Sequence, residues 1–231
     1  MSQMTYKFIV ASQKANFQDT ILYKSMCNHC IDFSRVIFFG NNKRSLNECY
    51  NEGITECIKN GIDIAVFVHD DVIINCDDVV FRIQKYASMF DVTGLAGNTT
   101  LNIKEPVLWH LLSTRDKLRG CVAHGDENKY MYTSYGYIPD RVLMIDGVFM
   151  IVNLKKLPAH VRFDEQIPSR FHFYDLIFSM ECSLNRVTIG VGDVPIIHAS
   201  PGLREMHNEW QQGQAYFLQK YKKYIGKTLT V

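Results

Sequence analysis

Ile62-Asp-Ile-Ala-Val-Phe-Val-His-Asp-Asp-Val72 is the stretch that decides the fold, because an apolar run of strand type leads directly into a histidine and two carboxylates. Short apolar runs of this kind are typical of buried strands in an α/β sheet. Ligands bind at the carboxyl ends of strands in such sheets, so His69, Asp70 and Asp71 stand where a site is expected. Adjacent carboxylates repel each other unless a cation or hydrogen-bond donors compensate them, and such ligands suit Mg²⁺ or Mn²⁺. The alternative is a solvated turn in which Asp70 or Asp71 caps the next helix.

Strands and helices alternate on both sides of this stretch. Apolar runs predict strands at Tyr6–Ala11, Val36–Phe39 and 92–96. Ser45-Leu-Asn-Glu48 has the capping-box pattern of a helix start, Asn60-Gly61 is a typical helix stop, and a further helix is expected over 77–89. This alternation predicts an α/β fold of Rossmann-like type, with a mostly parallel central sheet flanked by helices.

The second half of the chain has a less regular pattern. Residues 98–140 contain Trp109 and the run Tyr130-Met-Tyr-Thr-Ser-Tyr-Gly-Tyr137, and their length and aromatic content predict a lid or an acceptor-binding region rather than disorder. Patterns beyond this region predict a strand over 142–152, a helix from near Tyr174, short strands at 187–189 and 195–197, and a last amphipathic helix over 203–224.

Composition and charge argue against several classes of protein. The 231 residues (26.7 kDa) include 25 Lys plus Arg against 24 Asp plus Glu, and a net charge of +1 argues against nucleic-acid binding. The longest stretch without these charged residues, 92–103, is shorter than the ~20 apolar residues of a membrane-spanning helix. A short N-terminal apolar run and an odd number of cysteines, seven, predict a cytoplasmic protein with reduced thiols. The basic tail Lys220-Tyr-Lys-Lys-Tyr224 is expected to be a solvated helix face, with peripheral contact to an anionic membrane as the alternative.

Further motifs follow one another along the chain. They are Tyr50-Asn-Glu-Gly53, Ile145-Asp-Gly-Val148, Phe163-Asp-Glu165, Phe171-His-Phe-Tyr-Asp-Leu176 and Val194-Pro-Ile-Ile-His-Ala-Ser200. Together with His69-Asp70-Asp71, and in this order, they resemble the glycosyltransferases of the GT-A fold, specifically the family 2-like group, across residues 6–216. The resemblance implies a single GT-A domain over 1–231, with a nucleotide-binding half over 1–97 and an acceptor and catalytic half over 98–231.

The resemblance also implies roles for individual residues. Asp71 matches the carboxylate that binds a divalent metal, Asp70 matches the carboxylate near the ribose or the metal, and His198 matches a histidine that some GT-A enzymes use as a further ligand. His69 replaces the usual first aspartate, and imidazole is a competent Mn²⁺ ligand. Asp175 matches the catalytic carboxylate of the inverting family and is expected to act as general base. The implied cofactor is Mn²⁺ or Mg²⁺, and the implied donor is a nucleotide-sugar, with UDP as the expected nucleotide.

Binding residues for the donor and the acceptor follow from the same resemblance. The base and ribose are expected at the ends of the first two strands, at Ala11, Ser12 and Asn41. The segment Asp146-Gly147 matches one that lines the donor sugar and the acceptor, and Trp109 is expected to stack on a sugar ring. The acceptor is expected to be a glycan or another compound with a hydroxyl group.

The residues by themselves leave other assignments open. His69, Asp71 and His198 also have the composition of the two-histidine, one-carboxylate triad of non-haem Fe(II) oxygenases. A nucleotidyltransferase of similar fold would carry a glycine-rich basic loop after the first strand, where Ser12-Gln-Lys-Ala-Asn16 has one lysine and no glycine. The structural alternatives are that His198 merely closes a strand and that Asp175 merely caps a helix. A sugar-binding or nucleotide-binding module without catalytic activity is the remaining alternative.

Overall fold

The computed structural model describes residues 3–102, 109–111, 113–200, 208–225 and 227–231. In these residues the strands are β1 (Tyr6–Ala11), β2 (Val36–Phe39), β3 (Ile64–Val68), β4 (Val72–Ile74), β5 (Val92–Gly94), β6 (Ala96–Asn98), β7 (Thr100–Asn102), β8 (Leu118–Gly125), β9 (Tyr130–Ser134), β10 (Asp140–Arg141), β11 (Met144–Ile145), β12 (Phe149–Asn153), β13 (Ile189–Val191), β14 (Ile196–His198) and β15 (Thr228–Thr230). The α-helices are α1 (Ile21–Asn28), α2 (Leu46–Lys59), α3 (Val79–Met89), α4 (Tyr174–Leu184) and α5 (Asn208–Lys220). The strands divide between a seven-stranded central sheet, a six-stranded second sheet and the β7–β15 pair.

The central sheet is mixed, which corrects the prediction of a mostly parallel sheet. Its strand order is β10-β13-β5-β12-β3-β1-β2, in which β2, β1 and β3 run parallel, as do β5 and β13. Strand β12 lies antiparallel to both β3 and β5, and β10 lies antiparallel to β13. The alternation of strands and helices does not reveal that β12 runs in the opposite direction. After β5 the chain leaves the central sheet, and it returns to this sheet as β12 at the end where β3 finishes, so β12 runs back along β3.

Both faces of the central sheet are covered. Every residue of β3 and β12 is buried, as expected for strands that are apolar on both sides. One core joins Ile9 and Phe67 to Tyr50 of α2, and the other joins Phe8 and Val66 to α1 and α3. Successive residues of a strand point to opposite faces, so each strand supplies both cores.

Helix α2 confirms the predicted capping box. The Ser45 hydroxyl accepts the Glu48 N–H at 3.2 Å, and the Glu48 carboxylate accepts the Ser45 N–H at 2.8 Å. After the helix, Gly61 adopts a φ of +65°, which glycine allows at little cost. A Cβ on Gly53 would lie 2.7 Å from Ile9 Cγ2, so glycine at this position lets α2 pack closely on β1.

The second sheet stands at the carboxyl ends of the central strands. Its order is β11-β6-β8-β14-β4, with β9 paired to β8. Strand β4 directly follows β3, β6 follows β5, and β11 precedes β12. The edge where α/β sheets bind ligands is therefore the junction between the two sheets.

Residues 113–140 are more regular than predicted. Strands β8 and β9 form an antiparallel hairpin in which Gly125 lies opposite Tyr130. The sequence pattern hides β8 because Gly120 and Gly125, with φ of +101° and +136°, interrupt the alternation of apolar and polar residues. Residues 103–108 and 112, which belong to the predicted lid, lie outside the described residues.

Other predicted elements differ from the observed ones mainly in their bounds. The strands predicted at 92–96 and 142–152 are each divided between the two sheets, as β5 with β6 and as β11 with β12. The strands predicted at 187–189 and 195–197 appear as β13 and β14, and residues 203–207 of the last predicted helix lie outside the described residues. Across the part of the chain that the structure describes, no helix has both the length and the apolar character needed to cross a membrane.

Candidate active site

Three residues predicted as metal ligands meet at the junction of the two sheets. One ligand atom each from His69, Asp71 and His198 lies within 4.8 Å of the other two. His198 Nε2 is 3.3 Å from Asp71 Oδ1, and the two imidazole rings are 5.6 Å apart between centroids. All three side chains are partly buried. We call this group the ligand trio.

Strand pairing explains how the ligand trio assembles. His69 and Asp71 belong to the turn between β3 and β4, in which the Val72 N–H points to the His69 carbonyl at 3.4 Å. Strand β14 runs antiparallel to β4 and places His198 opposite Val72. The Ala199 N–H then donates to the Asp71 carbonyl at 3.0 Å. Residues far apart in sequence are thus fixed together by backbone hydrogen bonds.

The protonation states of His69 and Asp71 suit a cation. Burial lowers the pKa of His69 and the neighbouring His198 lowers it further, so the His69 imidazole is neutral at pH 7. Burial acts to raise the pKa of Asp71, but contacts with His198 and His69 outweigh it, and the pKa lies below the usual value. A neutral imidazole and an ionised carboxylate are the forms in which these side chains bind metals.

The donor atoms of the ligand trio fit a divalent cation. Asp71 Oδ1 is buried and has no hydrogen-bond partner, because the His198 contact is a close approach without hydrogen-bond geometry. A buried oxygen without a partner is costly, and a cation at this oxygen would offset the cost. Two imidazole nitrogens and one carboxylate oxygen suit Mn²⁺ better than Mg²⁺, which prefers oxygen ligands and water.

Asp70, which is not part of the ligand trio, contacts the loop that follows β1. Its Oδ2 accepts a hydrogen bond from the Ser12 hydroxyl, directly after Ala11 at the end of β1. The loops after β1 and β2 are joined because the Asn41 N–H donates to the Lys14 carbonyl at 2.8 Å. The structure therefore brings Ala11, Ser12, Asn41 and Asp70 to one end of the site.

Asp146, Gly147 and Asp175 form a second group beside the trio. Asp146 Oδ1 accepts the Val148 N–H at 2.9 Å, and Asp175 Oδ2 accepts the Gly147 N–H at 3.0 Å. These two N–H groups are taken by side chains and cannot pair in a sheet. The predicted strand over 142–152 breaks here for that reason.

Asp175 is the second residue of α4, and the capping position belongs to Phe173, which has a φ of +66°. The other carboxylate oxygen of Asp175, Oδ1, accepts the Leu176 N–H at 2.8 Å. Burial, followed by the charge of Asp146, raises the pKa of Asp175 to about 7. A carboxylate whose pKa lies near neutral pH is well matched to general base catalysis.

A small recess lies against His198 of the ligand trio. Its lining includes His198, Asp146, His124, Tyr135 and Trp109. Trp109 is only 8% exposed and packs 5.7 Å from the Tyr135 ring, so it forms a wall of the recess rather than an open stacking surface.

Two residues of the site were not identified from the sequence. His124 lies on β8, which was not predicted as a strand, and its ring is 5.8 Å from that of His198. Tyr174 was noted only as the neighbour of Asp175, yet its hydroxyl lies 2.7 Å from His69 Nε2. Its position next to Asp175, a candidate catalytic carboxylate, was the feature of the sequence that could have indicated a role for Tyr174 in the site.

Comparison with solved structures supports the fold. GalNAc-T7, in a structure with UDP, GalNAc and Mn²⁺, has a TM-score of 0.55 and 8% identity over 97% of this chain and 50% of that chain. This chain therefore spans half the length of GalNAc-T7, and the likeness shows a shared fold of the GT-A type. A197 from STIV matches over 89% of this chain and 100% of that chain with 11% identity, but its TM-score of 0.49 is too low to carry an argument. No curated protein sequence matches the chain with significance.

The composition of the ligand trio does not by itself separate a glycosyltransferase from an Fe(II) oxygenase. Residues 8–221, however, match the glycosyltransferase-like family. This match covers most of the chain and decides against the oxygenase, the nucleotidyltransferase and the inactive binding module. The protein belongs to the glycosyltransferase-like family and is a glycosyltransferase.

Proposed function

We propose that this enzyme transfers a sugar from a UDP-sugar to a hydroxyl group of a glycan or similar acceptor, with a divalent metal held by the ligand trio. The observation that carries the proposal is the meeting of His69, Asp71 and His198 beside both the Ser12–Asp70 pair and Asp175. A nucleotide end, a cation site and a basic carboxylate are the three parts that such a transfer needs.

The nucleotide would bind along the loops that follow β1 and β2. Asp70 accepts one hydrogen bond from Ser12, and a carboxylate has further lone pairs for the hydroxyl groups of a ribose. Asn41 is exposed at the tip of the second loop, where its amide is free to pair with a base. The backbone link between Asn41 and Lys14 holds the two loops in one geometry before the nucleotide arrives.

The ligand trio would hold Mn²⁺ next to the diphosphate. When bound, this cation neutralises charge on the departing diphosphate and acts as a Lewis acid. Asp71 contributes one negative charge, so a divalent cation at the trio retains positive charge for the diphosphate. The chain has a net charge of only +1, which makes such a local positive site more important than overall charge.

Asp175 would act on the acceptor. It takes the proton from the acceptor hydroxyl while that oxygen bonds to the anomeric carbon, and the bond from this carbon to the diphosphate oxygen breaks with its electron pair. The N–H groups of Gly147 and Leu176 hold the two carboxylate oxygens in place for this step. Attack from the side opposite the leaving group inverts the configuration at the anomeric carbon.

The recess would accommodate the transferred sugar or the reacting acceptor ring. Asp146 is a carboxylate among its lining residues and can accept hydrogen bonds from sugar hydroxyls. Trp109 and Tyr135 supply an apolar wall that excludes water and favours a sugar ring over bulk solvent.

The test is the consumption of a panel of nucleotide-sugars in the presence of Mn²⁺, Mg²⁺ or EDTA, measured as release of the nucleoside diphosphate. We expect a UDP-sugar to be consumed, faster with Mn²⁺ than with Mg²⁺ because two of the three ligands are imidazoles. The Asp175→Asn variant, prepared in the same way, controls for contaminating hydrolases. A panel that is left intact with Mn²⁺, or is consumed equally well in EDTA, contradicts the proposal.

A further inference from the structure

The hydroxyl of Tyr174 makes a contact that the proposed transfer does not use directly. Tyr174 is the first residue of α4 and is 4% exposed. Its hydroxyl oxygen lies 2.7 Å from Nε2 of His69, which leaves Nδ1 as the only ring nitrogen of His69 free to bind a cation. A histidine that binds a metal through one nitrogen commonly donates its other N–H to a fixed acceptor.

We propose that Tyr174 is a positioning residue that holds His69 as the Nε2–H tautomer. The Nε2–H donates to the Tyr174 oxygen, and the lone pair is left on Nδ1, the nitrogen that remains available to a cation. The reverse arrangement, in which the tyrosine donates to Nε2, would place a proton on Nδ1 and remove His69 as a ligand. This inference rests on the metal site of the proposed function.

Gly147 supports the contact between Tyr174 and His69 independently. A Cβ at this position would lie 2.2 Å from the Tyr174 hydroxyl oxygen and 2.5 Å from Cζ of the same ring. The ring cannot simply move away, because it is buried against Tyr50 at 5.7 Å and Phe163 at 6.4 Å between centroids. Glycine is therefore required here to leave space for the tyrosine hydroxyl to reach His69.

The same contacts link the cation site to the base. The capping residue Phe173 makes no side-chain hydrogen bond to the start of α4. This end of the helix is instead held by the contact of Tyr174 with His69 and by the Gly147 N–H on Asp175. Tyr174 thus fixes the ligand His69 and lies next to the residue proposed as general base.

The experiment compares wild type, Tyr174→Phe and Tyr221→Phe without any sugar donor. Tyr221 is the matched control, because it is 3% exposed and its hydroxyl also makes a partly buried side-chain hydrogen bond, at 2.7 Å to Glu181. Glu181 lies seven residues beyond Tyr174, about 10 Å along the helix. Mn²⁺ affinity is measured from the electron paramagnetic resonance signal of free Mn²⁺. We expect Tyr174→Phe to weaken binding about 10- to 100-fold and Tyr221→Phe to leave it unchanged.

A second readout needs no metal. Nitrogen-15 NMR of the imidazoles in the metal-free protein, with His69 assigned from its loss in His69→Gln, reports which ring nitrogen carries the proton. We expect Nε2–H in wild type and a mixture of tautomers in Tyr174→Phe. An Nδ1–H tautomer in wild type, or equal Mn²⁺ affinity of Tyr174→Phe and Tyr221→Phe, overturns the inference.

Gly147→Ala tests the same contact without removing the hydroxyl. Its Cβ should displace the tyrosine and weaken Mn²⁺ binding as Tyr174→Phe does, and wild-type affinity in this variant contradicts the role given to Gly147. If wild type itself binds no Mn²⁺, the proposed metal site fails, while the tautomer measurement still decides whether Tyr174 orients His69.

Discussion

Asp175→Asn should lower the rate of sugar transfer by about 10²–10⁴-fold, the usual contribution of a general base. The amide keeps an oxygen that can accept one backbone N–H but cannot take the proton of the acceptor hydroxyl. Binding of the donor and of Mn²⁺ should persist, because Asp175 is not among the three ligands that meet at the metal site. Initial rates and calorimetric donor binding, measured on the same preparations, check both parts.

The pH dependence follows from the same residue. Because the pKa of Asp175 is about 7, the base is protonated and inactive below this pH, and kcat/KM should rise through pH 7 to a plateau. Asp146→Asn removes a charge that raises this pKa, so the midpoint of the profile should move to lower pH. A profile that stays flat from about two pH units below this pKa to about two pH units above it would show that Asp175 is not the titrating base.

Asp91→Asn serves as the matched control for Asp175→Asn. Asp91 is also a partly buried carboxylate that accepts a backbone N–H, from Thr188 at 2.9 Å, but it lies just before β5, at the end of the sheet away from the site. This variant should transfer sugar at the wild-type rate. Undiminished transfer by Asp175→Asn would exclude the proposed role of Asp175.

Asp71→Asn should weaken Mn²⁺ binding by more than about 100-fold. Removal of a residue that only hydrogen-bonds to a metal ligand already lowers metal affinity by about 10- to 100-fold, and Asp71 is itself a proposed ligand. Asp71 supplies the charged ligand and has a buried oxygen without a partner, so the amide removes the strongest contribution to cation binding. Sugar transfer should fall in parallel. Titration of Mn²⁺ against each variant, followed by rate measurements at saturating metal, checks the prediction.

Asp77→Asn is the control for Asp71→Asn because it alters a carboxylate–histidine contact outside the site. Asp77 lies 3.0 Å from His29 Nδ1 and its side chain is fully exposed. Its substitution should change neither Mn²⁺ affinity nor transfer. Equal affinities of Asp71→Asn and Asp77→Asn would show that the ligand trio does not bind the metal.

The sequence predicts the parts of the fold that depend on local chemistry. The apolar run ending at Val68 forms a strand wherever it is buried, and the Ser45–Glu48 capping box satisfies its own backbone groups. Both appear as predicted, and the residues placed at the ends of β1 and β3 do come together through Ser12 and Asp70. The direction of a strand, in contrast, depends on the end of the sheet at which the chain enters, and local sequence does not encode this. The antiparallel direction of β12 was therefore not predicted.

The site contains features that spacing along the chain does not encode. His198 reaches Asp71 only because β14 pairs with β4, and the register of that pair is a tertiary property. The strand over 142–152 breaks because the side chains of Asp146 and Asp175 accept hydrogen bonds from its N–H groups, and Asp175 lies 28 residues beyond the N–H that it accepts. The contact between Tyr174 and His69 likewise depends on space left by Gly147, which no periodic pattern reveals.

Calorimetric titration of UDP into the wild-type protein, with and without Mn²⁺, tests the central claim most directly. The claim is that the ligand trio binds a cation that in turn binds the diphosphate of the donor. We predict measurable binding of UDP with Mn²⁺, its loss in EDTA, and its loss in Asp71→Asn even with Mn²⁺ present. Absence of UDP binding with Mn²⁺, or equal binding in EDTA, would contradict the claim.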